Sequence, residues 1–438
     1  MSTLPSPSLI QQAQAILKAA TSLQNQLDQH GLPQPGFEAS SPQDWHHALD
    51  HEDILKTRSA LIDASQVMLN LALGPIDTLI HAAPTRLEVL RTLDALGVAQ
   101  AVPIDGPISV TDLAAKVKVN AGLLYRQLKF AYLMGFFHEP VDKPGWVAHT
   151  AFSAAMPRFS PYTQLRYSRL FYSGAWEVAN ALKVWEEPAP EGHVQVPVEL
   201  ADPKHRGMWK ILEEDYDPDG KGHEKFAAGM KALVAAHSGS SFAQYIRGFD
   251  WAALGHGKGG LVVDVGGGNG HIEANIVKDL PQNIKFIIQD LAANETAANQ
   301  LIKQHEAQDR IGFHVHDFFQ PQPPNLHPVA YILSRVLHDW QDEDAVKIIK
   351  PMIPAMEQGA KLFVSERILP DQMGEIPVHR EEALRTIDIL MFTLFGAKER
   401  TQQDWTRLFA SVDHRLRVQV VRHPPASVFS MMEVVLDT

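Results

Sequence analysis

Apolar residues recur at helical spacing early in the chain and in short strand-like runs late in it. Across residues 5 to 30, Leu9, Ile10, Ala13, Ile16, Leu17, Ala20 and Leu23 form one stripe and predict an amphipathic helix. Gly31-Leu-Pro-Gln-Pro-Gly36 then breaks the chain. A second helical region is predicted from His51 to about Ala83, interrupted at Gly74-Pro75. Its stretch from Ile62 to Ile80 is apolar on more than one face, so it must be buried, and dimerisation is one way to bury it. Between Arg86 and Glu139 the pattern tightens. A helix over Leu87 to Leu96 leads to a turn at Pro103 to Pro107, Ser109-Val-Thr-Asp112 predicts a helix cap, and Asn120 starts a helix carrying Leu123, Leu124, Leu128 and Met134. With the short hairpin of Phe136 to Thr150, this reads as a winged helix. Residues 160 to 255 are predicted helical and rich in aromatics, with a loop at Pro188 to Pro197.

From Gly260 the texture changes to alternating strands and helices, the pattern of a doubly wound parallel sheet. Strands are predicted at 261–265, 285–289, 311–315, 329–334 and 361–365, with two more at 416–421 and 428–435. The fold class is therefore α/β, behind an N-terminal helical part.

Composition narrows the partners. A net charge of -12, from 39 Lys plus Arg against 51 Asp plus Glu, disfavours nucleic acid and anionic membranes. The helix starting at Asn120 offers only Arg126 and Lys129, so the winged helix reads as a dimerisation or substrate-lid module rather than a DNA reader. The absence of cysteine excludes disulfides and zinc–thiolate sites and fits an intracellular, cytoplasmic protein. No signal peptide is read, and no window approaches 18 uninterrupted apolar residues, so no membrane span is expected.

The candidate chemistry gathers at the predicted strand ends, where ligands sit in such sheets. Leu261-Val-Val-Asp-Val-Gly-Gly-Gly-Asn-Gly270 is an apolar strand closed by an acid and a glycine loop. Its spacing is D-x-G-x-G-x-G, whereas the last glycine of a dinucleotide fingerprint would fall on His271. An acid just before the glycines suits a ligand with an amino group, which points to S-adenosylmethionine rather than NAD. Asp290 closes the next apolar run, where an acid commonly grips ribose hydroxyls. Asp317-Phe318 offers an acid and an aromatic for an adenine. Ser334-Arg335, His338-Asp-Trp340 and Glu366 follow, then Asp388, Met391 and Gly396-Ala-Lys-Glu-Arg-Thr401. His338 is the candidate general base, because imidazole is the side chain best poised to take a proton near neutral pH. Glu366 and Glu399 are expected to hold the ring and stabilise its charge. A His/Glu/Glu metal site is the competing reading; no close His pair accompanies it.

As a set, Val263-Asp-Val-Gly-Gly-Gly-Asn-Gly270, Leu337-His-Asp-Trp340, Glu366-Arg-Ile-Leu-Pro370 and Lys398-Glu-Arg-Thr401 resemble the class I O-methyltransferases of the plant caffeic acid/flavonoid type and their fungal relatives. The resemblance covers nearly the whole chain. It implies an N-terminal winged-helix dimerisation domain, over residues 1–158, and a Rossmann-like S-adenosylmethionine-binding domain over 159–438 whose helical segment 160–255 shapes the substrate pocket. It implies a homodimer and His338 as base flanked by Glu366 and Glu399, with no metal. Cofactor contacts are expected at Gly266, Gly268, Asp290, Leu291, Asp317, Phe318 and Arg335, and substrate contacts at Trp176, Phe242, Asp388, Met391 and Phe395. The chain departs from the plant pattern at Ser334, where those enzymes carry Lys, and its long N-terminal helix is closer to the fungal members. Two activities follow. One is methyl transfer to a phenolic or enolic oxygen of a small aromatic or polyketide-type metabolite. The other is dehydration and pericyclic ring closure on a polyketide-derived pyridone, with the cofactor bound but not consumed, as in some fungal proteins resembling this family.

Overall fold

The computed structural model describes residues 8–81, 85–166, 169–184, 196–214, 225–226, 228–229, 248–356, 360–424 and 427–437. Two compact units result: Met1–Ala175 with Met208–His237, and Trp176–Gly207 with Ser238–Thr438.

The first unit is mainly helical. Helix α1 (Leu9–Gln29) starts at Ser8, whose side chain accepts from the Gln11 amide while the Gln11 side chain returns the bond, a reciprocal cap. Its predicted stripe is only partly covered. Leu23 is buried and Leu27 joins it, but Leu9, Ile10 and Leu17 lie exposed. Helix α2 (Glu52–His81) breaks at Gly74, whose φ of 69° is left-handed, just before Pro75. Leu69, Leu71 and Ile76 on α2 are also exposed. Within Glu52–Thr78 an 18-residue window reaches a mean hydropathy of 1.2, enough by length and composition alone to cross a membrane. It holds no uninterrupted apolar run of that length, because polar residues such as Ser65, Gln66 and Asn70 interrupt it without lowering its average much.

Next come α3 (Thr85–Ala95), α4 (Val98–Ala101), strand β1 (Ile108–Ser109), α5 (Val110–Lys116), α6 (Ala121–Leu133), strand β2 (Trp146–Val147) and α7 (Ala151–Arg166). The two predicted caps are present: Ser109 Oγ accepts from the Asp112 amide at 3.0 Å and Asn120 Oδ1 from the Leu123 amide at 3.1 Å. Strands β1 and β2 pair antiparallel, Ile108 opposite Val147. Val89, Leu93, Leu113, Leu124, Leu128 and Phe137 form the core beneath them, whereas Leu123, on the other face of α6, is exposed. Helix α8 (Arg169–Val184) crosses the division between the units; α9 (Pro197–Ala201) belongs to the second unit and α10 (Met208–Glu214) to the first.

The second unit carries a seven-stranded sheet. Its strands, with the helices between them, are β3 (Gly260–Val265), α11 (His271–Ile276), β4 (Ile284–Asp290), α12 (Glu295–Gln304), β5 (Ile311–Val315), β6 (Ala330–Ser334), α13 (Asp342–Ile349), β7 (Lys361–Glu366), β8 (Ile368–Leu369), α14 (Val378–Phe395), β9 (Arg400–Thr401), α15 (Gln402–Val412), β10 (Leu416–Arg422) and β11 (Ser430–Leu436). The large sheet runs β10-β11-β7-β6-β3-β4-β5. Neighbours among β3 to β7 are parallel, and β11 returns antiparallel beside β7. Every predicted strand is present to within two residues. Alternation sends Val263, Leu333 and Val364 to one face and Val262, Ile332 and Phe363 to the other, where they join separate cores. The order reverses between β3 and β6, and in such sheets the carboxyl ends of the strands at that point are where ligands sit.

Candidate active site

The glycine loop leaves β3 at the reversal point. Gly266, Gly268 and Gly270 all have positive φ, which side chains with a Cβ rarely adopt. Gly266 also abuts the segment after β6, because a Cβ there would come within 2.9 Å of Val336 Cγ2, and Phe318 lies at its edge. Above Gly268 the space is open: nothing lies within 4 Å of an added Cβ. Asp290 ties this loop to β4. Its Oδ2 accepts from the Gly268 amide at 2.7 Å, and its Oδ1 accepts from the Leu291 amide at 2.7 Å and Asn294 Nδ2 at 2.9 Å. A carboxylate offers about four acceptor sites, so Asp290 keeps capacity for one more donor. Leu291 beside it is exposed. Asp317 accepts from the Phe319 amide at 3.0 Å, which caps the turn after β5 and leaves Phe318 packed edge-on between Phe319 and Trp340.

Arg335 follows β6 with φ 57°, a left-handed conformation costing about 1–3 kcal/mol for a residue that is not glycine. That turn swings its guanidinium back over the loop, where Nη2 lies 3.1 Å from His271 Nε2. The backbone then makes a tight turn at Leu337–Asp339, which presents His338.

His338 is buried, and its Nδ1 lies 2.9 Å from Glu399 Oε1. Its Nε2 lies 3.4 Å from Asp339 Oδ1. Glu366 takes a different part. Its Oε1 accepts the amides of Val336 at 3.0 Å and Leu337 at 2.9 Å, so it holds the turn that carries the histidine rather than the ring. Strands β8 and β9 explain how these distant residues meet: they pair in parallel, Ile368 opposite Arg400, which sets the end of β7 beside Glu399. Asp388 on α14 accepts the Glu399 amide at 2.9 Å. Met391, one turn further along α14, is buried, and Phe395 is half-buried. Trp176 on α8 is 79 % exposed, and Phe242 lies outside the described residues.

Three cationic and acidic neighbours went unread in the sequence. Arg367 is buried; its Nη1 donates to Glu399 Oε1 at 3.1 Å and lies 3.5 Å from His338 Nδ1, while its guanidinium covers the Phe429 ring at 4.6 Å. Arg400 is fully buried and donates to the carbonyls of Leu337 and Trp340, each at 2.8 Å, clamping the turn on both sides of His338. Asp339 completes the set. The motif Glu366-Arg-Ile and Lys398-Glu-Arg contained both arginines, but nothing in spacing tells a buried arginine from a surface one.

Electrostatics follow from the burial. Burial alone would lower the basicity of His338, but the carboxylates of Asp339, Glu399 and Glu366 outweigh it and push its pKa to about 9. Burial raises Asp339 to about 6 and Glu366 to about 7. Burial would raise Glu399 too, but the charges of His338 and Arg367 hold it below the usual carboxylate range. The site therefore contains an imidazole with one nitrogen oriented by an ionised carboxylate and a turn locked at both ends.

The chain matches an O-methyltransferase domain over residues 219–415. The O-methyltransferase aurJ of Gibberella zeae is 30% identical over 453 residues, covering 100% of both chains. LepI, solved in complex with S-adenosylmethionine, shares the fold at a TM-score of 0.74 with 20% identity, covering 97% of this chain and 100% of its own. A structure described as a pericyclic reaction enzyme superposes at 0.72 with 21% identity, covering 90% and 97%. With the doubly wound sheet and the glycine loop at its reversal point, these likenesses identify the chain as a member of the S-adenosylmethionine-dependent O-methyltransferase family.

Proposed function

We propose that the chain methylates a phenolic or enolic hydroxyl of a small aromatic or polyketide-type metabolite, with His338 as general base. The observation that carries this reading is the buried His338–Glu399 pair in a turn fixed by Glu366 and Arg400. The cofactor is assigned to the strand ends at Gly266, Gly268, Asp290, Leu291, Asp317, Phe318 and Arg335. The open space over Gly268 and the spare acceptor capacity of Asp290 fit a ligand lying against the main chain. When bound, S-adenosylmethionine supplies a methyl group activated by a sulfonium.

His338 then receives the proton of the acceptor hydroxyl at Nε2, because Nδ1 is engaged with Glu399. Glu399 stabilises the resulting imidazolium, and Arg367 keeps Glu399 ionised. Asp388, Met391 and Phe395 on α14 are assigned to the acceptor side, with Trp176 and Phe242 as further lining. His338, Glu366 and Glu399 do bring ligating atoms within 4.8 Å of one another. The guanidinium of Arg367 donates to Glu399 Oε1 and lies 3.5 Å from His338 Nδ1, however, so a divalent ion there would meet a fixed cation close by, and the reading involves no metal. We assign the exposed apolar residues of α1 and α2 to the interface of a homodimer.

Mass spectrometry of product made with candidate phenols tests the reaction. A gain of one methyl, dependent on S-adenosylmethionine and lost with the demethylated cofactor, is the expected result. Loss of water instead, with the demethylated form equally effective, would replace this reading with ring closure of the kind named for the pericyclic enzyme that shares the fold.

A further inference from the structure

Two carboxylates lie beneath the glycine loop and take no part in the steps above. Asp264 is the last but one residue of β3, and Glu273 sits in the first turn of α11, on the far side of the loop. Asp264 is 1 % exposed and Glu273 0 %. None of their four oxygens makes a well-formed hydrogen bond to a donor, the one amide acting on the Glu273 carboxylate being its own. The loop rests directly on Asp264, since a Cβ on Gly267 would come within 2.3 Å of its Oδ2. Glu273 Oε2 reaches the same underside, 3.9 Å from a Cβ built on Gly270.

Two ionised carboxylates cannot share so dry a space without a donor between them. Burial, then the charge of Glu273, raises Asp264 well above the ordinary carboxylate range, and burial raises Glu273 as well. The other charged groups around the pair are few. Arg335 favours ionisation of both, and Asp290, which holds the Gly268 amide, opposes that of Asp264. His271, at the start of α11, is engaged with Arg335.

We propose that Asp264 and Glu273 share a single proton in the cofactor-free protein, and that the cationic cofactor binding over the glycine loop expels it. The inference rests on the cofactor site assigned above. A cation placed over the loop favours the doubly ionised pair, so binding releases a proton and affinity rises with pH, by up to about tenfold per pH unit for one proton. The demethylated cofactor lacks the sulfonium charge and should release less.

Calorimetry of S-adenosylmethionine binding, repeated in buffers of different ionisation enthalpy across neutral and mildly alkaline pH, counts the protons. The full-length protein should release a substantial fraction of one proton. Glu273→Gln supplies a permanent amide donor to Asp264, so it should bind the cofactor with a flat pH profile and no proton release. Asp264→Asn should do the same from the other side and stands in if the first variant does not fold. Cofactor binding without proton release in the parent overturns the inference, as does undiminished release in both variants. Neither result touches the loop assignment, which fails separately if Gly268→Val leaves affinity unchanged.

Discussion

At the scale of single residues, the pH behaviour of His338 is the sharpest consequence of the site. A base must be unprotonated to act, and with its pKa pushed up to about 9 only roughly one imidazole in a hundred is free at pH 7. Methyl transfer should therefore climb with pH through the neutral range and level off near 9, which a pH–rate profile at saturating cofactor would check. Glu399→Gln removes one of the carboxylates that hold the proton on His338, so its profile should level off at lower pH. His338→Ala should lower turnover by roughly 100-fold or more, the usual worth of a positioned base, and leave cofactor affinity nearly intact. If the alanine variant turns over at the parental rate, His338 is not the base. Gly268 makes a second residue-scale test. Valine there would carry a β-branched side chain at φ 60° and project it into the open space over the loop. Cofactor affinity measured by calorimetry should fall by tenfold or more, since about 1.4 kcal/mol of strain or clash already costs that factor.

At the scale of elements, the site depends on a turn rather than on a helix or strand. Leu337–Asp339 is a single 3-10 turn with two long backbone bonds, Asp339 N to Val336 O and Trp340 N to Leu337 O, each at 3.3 Å. It is held from outside by the Glu366 carboxylate at the Val336 and Leu337 amides and by the Arg400 guanidinium at the Leu337 and Trp340 carbonyls. Arg400→Met keeps much of the bulk over Trp405 and removes the donors. The Leu337 and Trp340 carbonyls would lose the guanidinium, at about 1–3 kcal/mol for a buried acceptor left unpaired, while the half-exposed Asp342 keeps Lys398. The variant should melt earlier by scanning calorimetry and lose kcat more than cofactor affinity. Equal losses in both would mean that the turn serves the fold and not the base. The parallel pairing of β8 and β9 is the other device at this scale, because it closes the distance between the two glutamate motifs.

At the scale of the whole molecule, the unusual feature is the apolar surface left uncovered on α1 and α2. Leu9, Ile10, Leu17, Leu69, Leu71 and Ile76 are all more than two-fifths exposed, and clusters of this kind mark association surfaces. Light scattering should give about twice the chain mass of 48.6 kDa. Glutamates at Leu69 and Ile76 should shift the protein to monomer. A monomer in the parent at micromolar concentration would remove the dimer from the account.

Much of this protein could be read from the chain because its signals are local. Strand boundaries came from short apolar runs, the caps at Ser109 and Asn120 from side chains that bond three residues away, and the tight loop after β3 from glycines whose backbone freedom no neighbour needs to supply. The break at Gly74-Pro75 is local in the same sense. Roles at the base were not local. The sequence put Glu366 ahead of Glu399 at the ring of His338; tertiary structure assigned the ring to Glu399 and the turn amides to Glu366, because β8 and β9 set their positions. Burial made Arg367 and Arg400 part of the site, and burial turned Asp264 and Glu273 from two acids nine residues apart into a pair without a donor between them. Spacing along the chain determines which groups are available. The dielectric and the partner each group meets depend on what the fold packs around it, and those decide its charge and its chemistry.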